Sequence, residues 1–161
     1  MTKVVLVTGG SNGIGAATVR LAVQHGYSVC INYLTAQEKA EQLAEEVCTH
    51  GGQAIAVKAN ISDEGEVKSL FETIDRKLGR LTALVNNAGI LEKQTTVENL
   101  TAERLTRILA VNVTGSFLCA RESIRRMSVQ NGGTGGAIVN ISSVAAKIGA
   151  PFEYVDYAAS K

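Results

Sequence analysis

Val4-Val5-Leu6-Val7-Thr8-Gly9-Gly10-Ser11-Asn12-Gly13-Ile14-Gly15 sets a continuous aliphatic run directly against a glycine-rich turn. Continuous rather than alternating apolar residues suit a parallel strand covered by helices on both faces. Helical periodicity begins at Ile14 and continues to Gln24, so the glycines fall between a strand and a helix. A backbone that turns sharply and approaches a pyrophosphate closely has no room for side chains there. The following helix start offers free N–H groups and the positive end of its dipole to phosphates. The same glycines also suit a tight strand–helix turn that only packs well, and their spacing is not GxGxxG.

Working outward, the pattern repeats. Strands are expected at Val4–Thr8, Ser28–Tyr33, Gln53–Lys58, Thr82–Asn86 and Ala137–Ser142. Helices are expected at Ile14–Gln24, Gln37–Thr49 and Glu64–Leu78, and two joined ones over 100–128 that meet near Asn112. Another starts near Val155. Thr35 with Glu38, and Asp63 with Glu66, have capping-box spacing. Gly51 and Gly79 stand where helices end. Strand–helix alternation with right-handed crossovers gives an α/β doubly wound parallel sheet, Rossmann-like, with helices on both faces. No domain boundary interrupts residues 1–161, and the glycine-rich Asn131–Gly136 reads as a surface loop.

Bulk properties narrow the function. The 161 residues include 45% hydrophobic and 19% charged ones, ordinary for a globular domain with a real core. A formal net charge of +1 gives no electrostatic case for nucleic acid or an anionic membrane. The apolar run Val4–Val7 is too short for a signal peptide, and no stretch approaches a membrane span. Cys30, Cys48 and Cys119 are scattered and odd in number, which points to reduced thiols and a cytoplasmic protein. His25 and His50 fall near helix ends, so no metal site is expected.

Tyr157 and Lys161 stand four residues apart, on one face of a helix. Phenols titrate near pH ~10, and a neighbouring ammonium lowers that value. Such a pair can exchange a proton with a substrate oxygen near neutral pH. An isolated YxxxK is more often a surface pair, and Tyr154 has only Ala158 at its i+4 position. Ser142 and Ser143 close the fifth strand at the carboxyl edge, where ligands bind in such sheets. A hydroxyl there can hold a carbonyl or a developing oxyanion.

Four of these segments together carry a resemblance. Thr8-Gly9-x-x-x-Gly13-Ile14-Gly15 is similar to the cofactor motif of the short-chain dehydrogenase/reductase family. Asn86-Asn87-Ala88-Gly89 resembles its second motif. Asn140-Ile141-Ser142-Ser143 resembles its serine motif, and Tyr157-Ala158-Ala159-Ser160-Lys161 its tyrosine–lysine motif. The resemblance covers 1–161, with the 3-oxoacyl carrier-protein reductase and glucose dehydrogenase branches as the models. It implies an oxidoreductase moving hydride between NADP(H) or NAD(H) and a carbonyl or secondary alcohol. It also implies that Ser143 (with Ser142 as the alternative) holds the oxygen and that Tyr157 donates the proton. Lys161 would tune Tyr157 and bind the nicotinamide ribose. Asn112, in Val111-Asn112-Val113-Thr114-Gly115, would connect the site to solvent through a relay water. Cofactor contacts are implied for Thr8, Gly9, Ser11, Asn12, Gly13, Ile14, Gly15, Tyr33, Asn60, Ile61, Asn87, Ala88 and Gly89, together with Tyr157 and Lys161.

Two features depart from the family. Its members continue well past the lysine on which this chain ends, so the domain is expected to be incomplete, with C-terminal strands missing. An incomplete chain could also be a catalytically silent nucleotide-binding module. At the adenine end, Asn32-Tyr33-Leu34-Thr35 carries no carboxylate to bind a ribose 2′-OH and repel a 2′-phosphate. Asn12 stands where NADP-preferring relatives often have arginine, but Ser11 can still hydrogen-bond a phosphate. NADP(H) is therefore favoured and NAD(H) remains possible. Asn60-Ile61 replaces the usual Asp-Val against adenine; asparagine offers both a donor and an acceptor. Leu105, Ile108, Leu109, Val113, Phe117, Leu118 and Ala120 form a long apolar stripe. Most of it should cover the sheet, and the family pairs this region across a two-fold axis. A homodimer or homotetramer is expected of the whole protein, and an exposed apolar patch on 1–161 alone.

Overall fold

A computed structural model describes residues 3–161; Met1 and Thr2 of the N-terminal stretch lie outside the described residues. Five strands form one sheet: β1 (Lys3–Val7), β2 (Tyr27–Tyr33), β3 (Ala54–Lys58), β4 (Ala83–Asn86) and β5 (Ala137–Asn140). Their order is β3-β2-β1-β4-β5, every neighbouring pair parallel. The chain winds away from β1 in one direction through β2 and β3. It then returns to the other side of β1 as β4, so the carboxyl ends of β1 and β4 open a crevice.

Alternate side chains of β1 serve opposite layers. Val5 and Val7 face α1 (Gly13–Gln24) and α2 (Gln37–Thr49), packing with Val19, Leu43 and Val47. Val4 and Leu6 face the other layer with Phe71 and Ile74 of α3 (Glu64–Lys77) and Cys119 of α5 (Ser116–Met127). This two-layered core is the doubly wound arrangement expected from the aliphatic runs.

Local signals hold unevenly. Asp63 caps α3, its Oδ1 accepting the Glu66 N–H at 2.8 Å. The Glu66 carboxylate reaches instead to the Asn60 N–H, 2.7 Å away. Thr35 does not cap α2. That helix starts at Gln37 with Ala36 at its cap, so the threonine hydroxyl lies one position too early. Gly51 and Gly79 follow α2 and α3 with φ of +80° and +92°, as helix-ending glycines do.

The helical stretch after residue 100 is α4 (Ala102–Leu109), a π-helical turn over Ala110–Gly115, and α5. The expected junction near Asn112 is this widened turn. Gly115 sits inside it because a Cβ there would come 2.8 Å from the Ile61 side chain. Short helices α6 (Ala145–Ile148) and α7 (Val155–Ser160) complete the chain; α6 was not legible in the periodicity.

β5 is the outermost strand on its side among the described residues, and Val139 is 49% exposed there. Of the apolar stripe, Ile108 is fully buried, while Leu109 and Phe117 are exposed.

Candidate active site

The glycine loop is built by contacts between β1 and β4. Thr8, fully buried, accepts the Asn87 and Ala88 N–H groups on its Oγ1, each at 3.0 Å. Asn87 Nδ2 donates to the carbonyls of Thr8 (2.9 Å) and Gly9 (3.0 Å). A Cβ on Gly15 would lie 2.4 Å from the Gly9 carbonyl oxygen and 2.6 Å from Asn87 Nδ2. Helix α1 therefore starts against the loop only because residue 15 has no side chain. Gly9 takes φ +59° and Gly13 φ +48°, with open space around Gly13. Ser11, Asn12 and Ile14 stand at the surface of this turn, with Ile14 and Asn12 exposed. The concave backbone, the open face at Gly13 and the start of a twelve-residue helix fit a dinucleotide pyrophosphate.

Asn32, at the end of β2, was missed as a site residue. It is buried; its backbone carbonyl accepts the Gly10 N–H at 2.9 Å, and its Nδ2 donates to the Ala59 carbonyl at 3.0 Å. It ties the glycine loop to the ends of two neighbouring strands. Tyr33 beside it is packed into the α1–α2 layer, 6% exposed, so its ring is core rather than an open contact surface. Ile61 likewise turns inward against Gly115. Asn60 Oδ1 is taken by the Ser62 N–H and hydroxyl, leaving its amide nitrogen to the outside.

The second cluster surrounds Lys161. Asn112 is buried in the π-helical turn. Its Oδ1 accepts the Ile90 N–H at 2.8 Å, and its Nδ2 donates to the Ile90 carbonyl and to Ser160 Oγ (2.8 Å). The turn also offers the Asn112 carbonyl to the Ser116 hydroxyl at 3.0 Å. A methyl group on Gly89 would stand 3.4 Å from Asn112 Oδ1 and 3.6 Å from Lys161 Nζ. The fold thus brings Gly89, Asn112 and Lys161 from three segments to one point. Burial holds the Lys161 ammonium below its usual range, and it forms no ion pair among the described residues. Tyr157 is half-buried one turn earlier on α7, and its hydroxyl has no hydrogen-bond partner among the described residues.

The two serines diverge. Ser142 Oγ donates to the Lys161 carbonyl at 3.0 Å, whereas Ser143 Oγ accepts the Ala145 N–H at 3.2 Å at the start of α6. A cavity of about 300 Å³ between α5 and β5 is lined by Asn112, Phe117, Ile141, Ser142 and Lys161, among others. Neither Tyr157 nor Ser143 lines it. Asn86 Nδ2 closes the base of the crevice by donating to Asn140 Oδ1 and the Ser116 carbonyl.

Sequence reading also missed Arg104 and Asp156. Arg104 Nε and Nη2 donate to the two oxygens of Asp156 at 2.5 and 3.2 Å. The guanidinium beside it holds the Asp156 carboxyl below the usual carboxylate range. Cys119, by contrast, is pushed up to about 12 by burial, which keeps it a thiol. No helix of the described residues is long and apolar enough to cross a membrane.

A parallel sheet with a glycine cradle at its switch point, and Asn112 and Lys161 meeting at the same carboxyl edge, is the architecture of a dinucleotide-binding α/β domain. The chain belongs to the short chain dehydrogenase family, whose model matches residues 3–161. It is 56% identical over 158 residues to an uncharacterized oxidoreductase, YgfF, of Escherichia coli K12, covering 98% of this chain and 64% of that protein. A 3-oxoacyl-[acyl-carrier-protein] reductase, FabG, of Staphylococcus aureus is 35% identical over all 161 residues, 63% of its own length. Among solved structures, a blue fluorescent protein from a metagenomic library in complex with NADPH superposes with a TM-score of 0.88. It is 33% identical over 99% of this chain and 63% of that one. The chain thus spans less than two thirds of the length of these relatives.

Proposed function

We propose that the whole protein is an NADP(H)-preferring reductase of a carbonyl substrate, working with Tyr157 as general acid. The observation that carries this reading is the convergence of Gly89, Asn112 and Lys161 at one point, with Tyr157 four residues before that lysine and its hydroxyl without a hydrogen-bond partner among the described residues. A bound nicotinamide supplies the hydride. Gly9, Ser11, Asn12, Gly13, Ile14 and Gly15 cradle the pyrophosphate and the adenosine side, with Thr8 and Asn87 as the frame beneath them. Ala88 and Gly89 line the crevice floor, and the Asn60 amide and the Ile61 backbone border the adenine end. Tyr33 contributes through its backbone, because its ring is buried.

The protein's own groups do the rest. Ser143 Oγ, which accepts the Ala145 N–H, keeps its own O–H to donate to the substrate oxygen. Tyr157 delivers its proton to that oxygen, and the Lys161 ammonium favours the phenolate left behind. Asn112, through Ser160 and the turn around it, holds the lysine end of this path. The substrate class is a small-molecule ketone or aldehyde, or the 3-oxo group of an acyl thioester, in line with the 3-oxoacyl reductase relative. NADPH-dependent loss of nicotinamide absorbance with a panel of such carbonyls tests the reading; no turnover with any of them in the whole protein counts against it.

Cofactor preference has its own support. A second hollow of about 300 Å³ beside the glycine loop is lined by Ser11, Asn12, Gly13, Arg20, Lys39 and Gln42. Arg20 is occupied by Glu46 at 2.7 Å, whereas Lys39 forms no ion pair among the described residues. No carboxylate follows β2 before Glu38 to reject a 2′-phosphate. NADPH is expected to bind at least about tenfold more tightly than NADH, roughly 1.4 kcal/mol. Titration of both by cofactor fluorescence checks this, and equal affinity would remove Ser11 and Asn12 from a phosphate site.

The assembly we propose is a homodimer or homotetramer paired along α4 and α5. Phe117 is 73% exposed, and Leu109 and Ile124 extend the same apolar surface. Light scattering of the whole protein should give two or four subunits. Phe117→Glu should shift the population toward monomer, and a monodisperse monomer of the parent would rule the pairing out.

A further inference from the structure

We propose that the Arg104–Asp156 pair is a positioning clamp that sets the tyrosine helix for proton transfer. Asp156 immediately precedes Tyr157 on α7, and its side chain is only 1% exposed. It accepts both Arg104 donors, and its Oδ1 also accepts the Tyr157 backbone N–H at 2.9 Å. The third guanidinium nitrogen, Arg104 Nη1, donates to the Lys93 carbonyl at 2.5 Å. One side chain on α4 therefore grips the tyrosine helix and the loop after β4 together. Thr95 N–H, donating to the Glu153 carbonyl at 3.0 Å, joins the same two segments.

The segment being held needs holding. Gly149, Ala150 and Phe152 precede α7 with φ of +73°, +42° and +64°. Two of these are not glycine, and such backbone persists only where surrounding contacts over-determine it. α7 itself has six residues, too short to be stable alone, and no side-chain cap at its start. Its register relative to β5 and Gly89 thus depends on outside anchors. The planar fork of arginine fixes both carboxylate oxygens at once, which a lysine cannot do. Neither residue touches the reacting atoms on this reading; both act through Tyr157. The inference rests on the proposed role of Tyr157 as proton donor.

Asp156→Asn keeps the shape and the acceptor for the Tyr157 N–H while removing the charge. Removing one partner strands a buried charge, so the double variant Arg104→Met with Asp156→Leu deletes both charges together and favours a folded protein. In the whole protein, with active sites counted by NADPH titration, both variants should lose roughly ten- to a hundredfold in kcat. The NADPH Kd should stay within about twofold. A merely structural role would reduce the number of competent sites and leave the turnover of each unchanged. A folded variant with kcat within about twofold of the parent overturns the clamp. If the parent turns over no carbonyl, the reductase reading fails on its own, and amide hydrogen exchange decides the clamp. Exchange at residues 153–161 should then quicken at least about tenfold in either variant while β1 and β2 stay protected. Unchanged exchange there overturns it.

Discussion

Tyr157→Phe is expected to lower kcat for carbonyl reduction by roughly two to four orders of magnitude, the usual worth of a positioned general acid. The substitution removes one oxygen and nothing else. That oxygen makes no hydrogen bond among the described residues, so neither α7 nor its described neighbours lose one with it. The Asp156 anchor, the Asn112–Ser160 bond and the burial of Lys161 are all independent of the phenol. NADPH affinity should therefore change little, and thermal stability should stay close to the parent's. Steady-state rates beside a fluorescence titration of NADPH separate the two effects. Turnover near that of the parent would mean that another group carries the proton.

Gly15→Ala is the second large effect, and it acts on the frame instead of the chemistry. The added Cβ would fall 2.4 Å from the Gly9 carbonyl oxygen, 2.6 Å from Asn87 Nδ2 and 2.9 Å from Gly10 Cα. Two of these atoms are backbone, and the third is pinned by bonds to Thr8 and Gly9. None can give way as the end of a flexible side chain would. The start of α1 must move off the loop, at a cost of about 1–3 kcal/mol in stability. Because the loop shape is the cradle, NADPH binding should fall by at least about tenfold as well. Gly13→Ala is the internal comparison. Space around Gly13 is open, so only its φ of +48° opposes a side chain, and a penalty of about 1 kcal/mol is expected. Urea unfolding and NADPH titration of the pair should rank Gly15→Ala as the more damaging in both. A parent-like melting curve and affinity for Gly15→Ala would show that the loop is not rigid.

Much of this architecture was readable because it is written in short-range patterns. Val4–Val7 needs cover on both faces wherever it lies, and Asp63 can cap α3 using only its own turn. The start of a helix near Val155 is likewise a local signal, but α7 ends at Ser160 and leaves Lys161 as its cap. Two local expectations did not hold. Thr35 has the right spacing to Glu38, but α2 begins at Gln37, so the hydroxyl is out of reach. Tyr33 was placed at the adenosine pocket, but strand alternation and the packing of α2 send its ring into the core.

By itself, then, the order of residues determined the doubly wound sheet, the glycine cradle and the helix that carries Tyr157. Each depends on local periodicity or on the absence of side chains. Tertiary structure alone decided that Asn32 ties three strand ends together. It also decided that Arg104 meets Asp156 across 52 positions of chain. Such contacts join charges and amides that have no pattern in sequence. Their partners are chosen by which segments the sheet order brings side by side, and burial then demands that each polar group be satisfied.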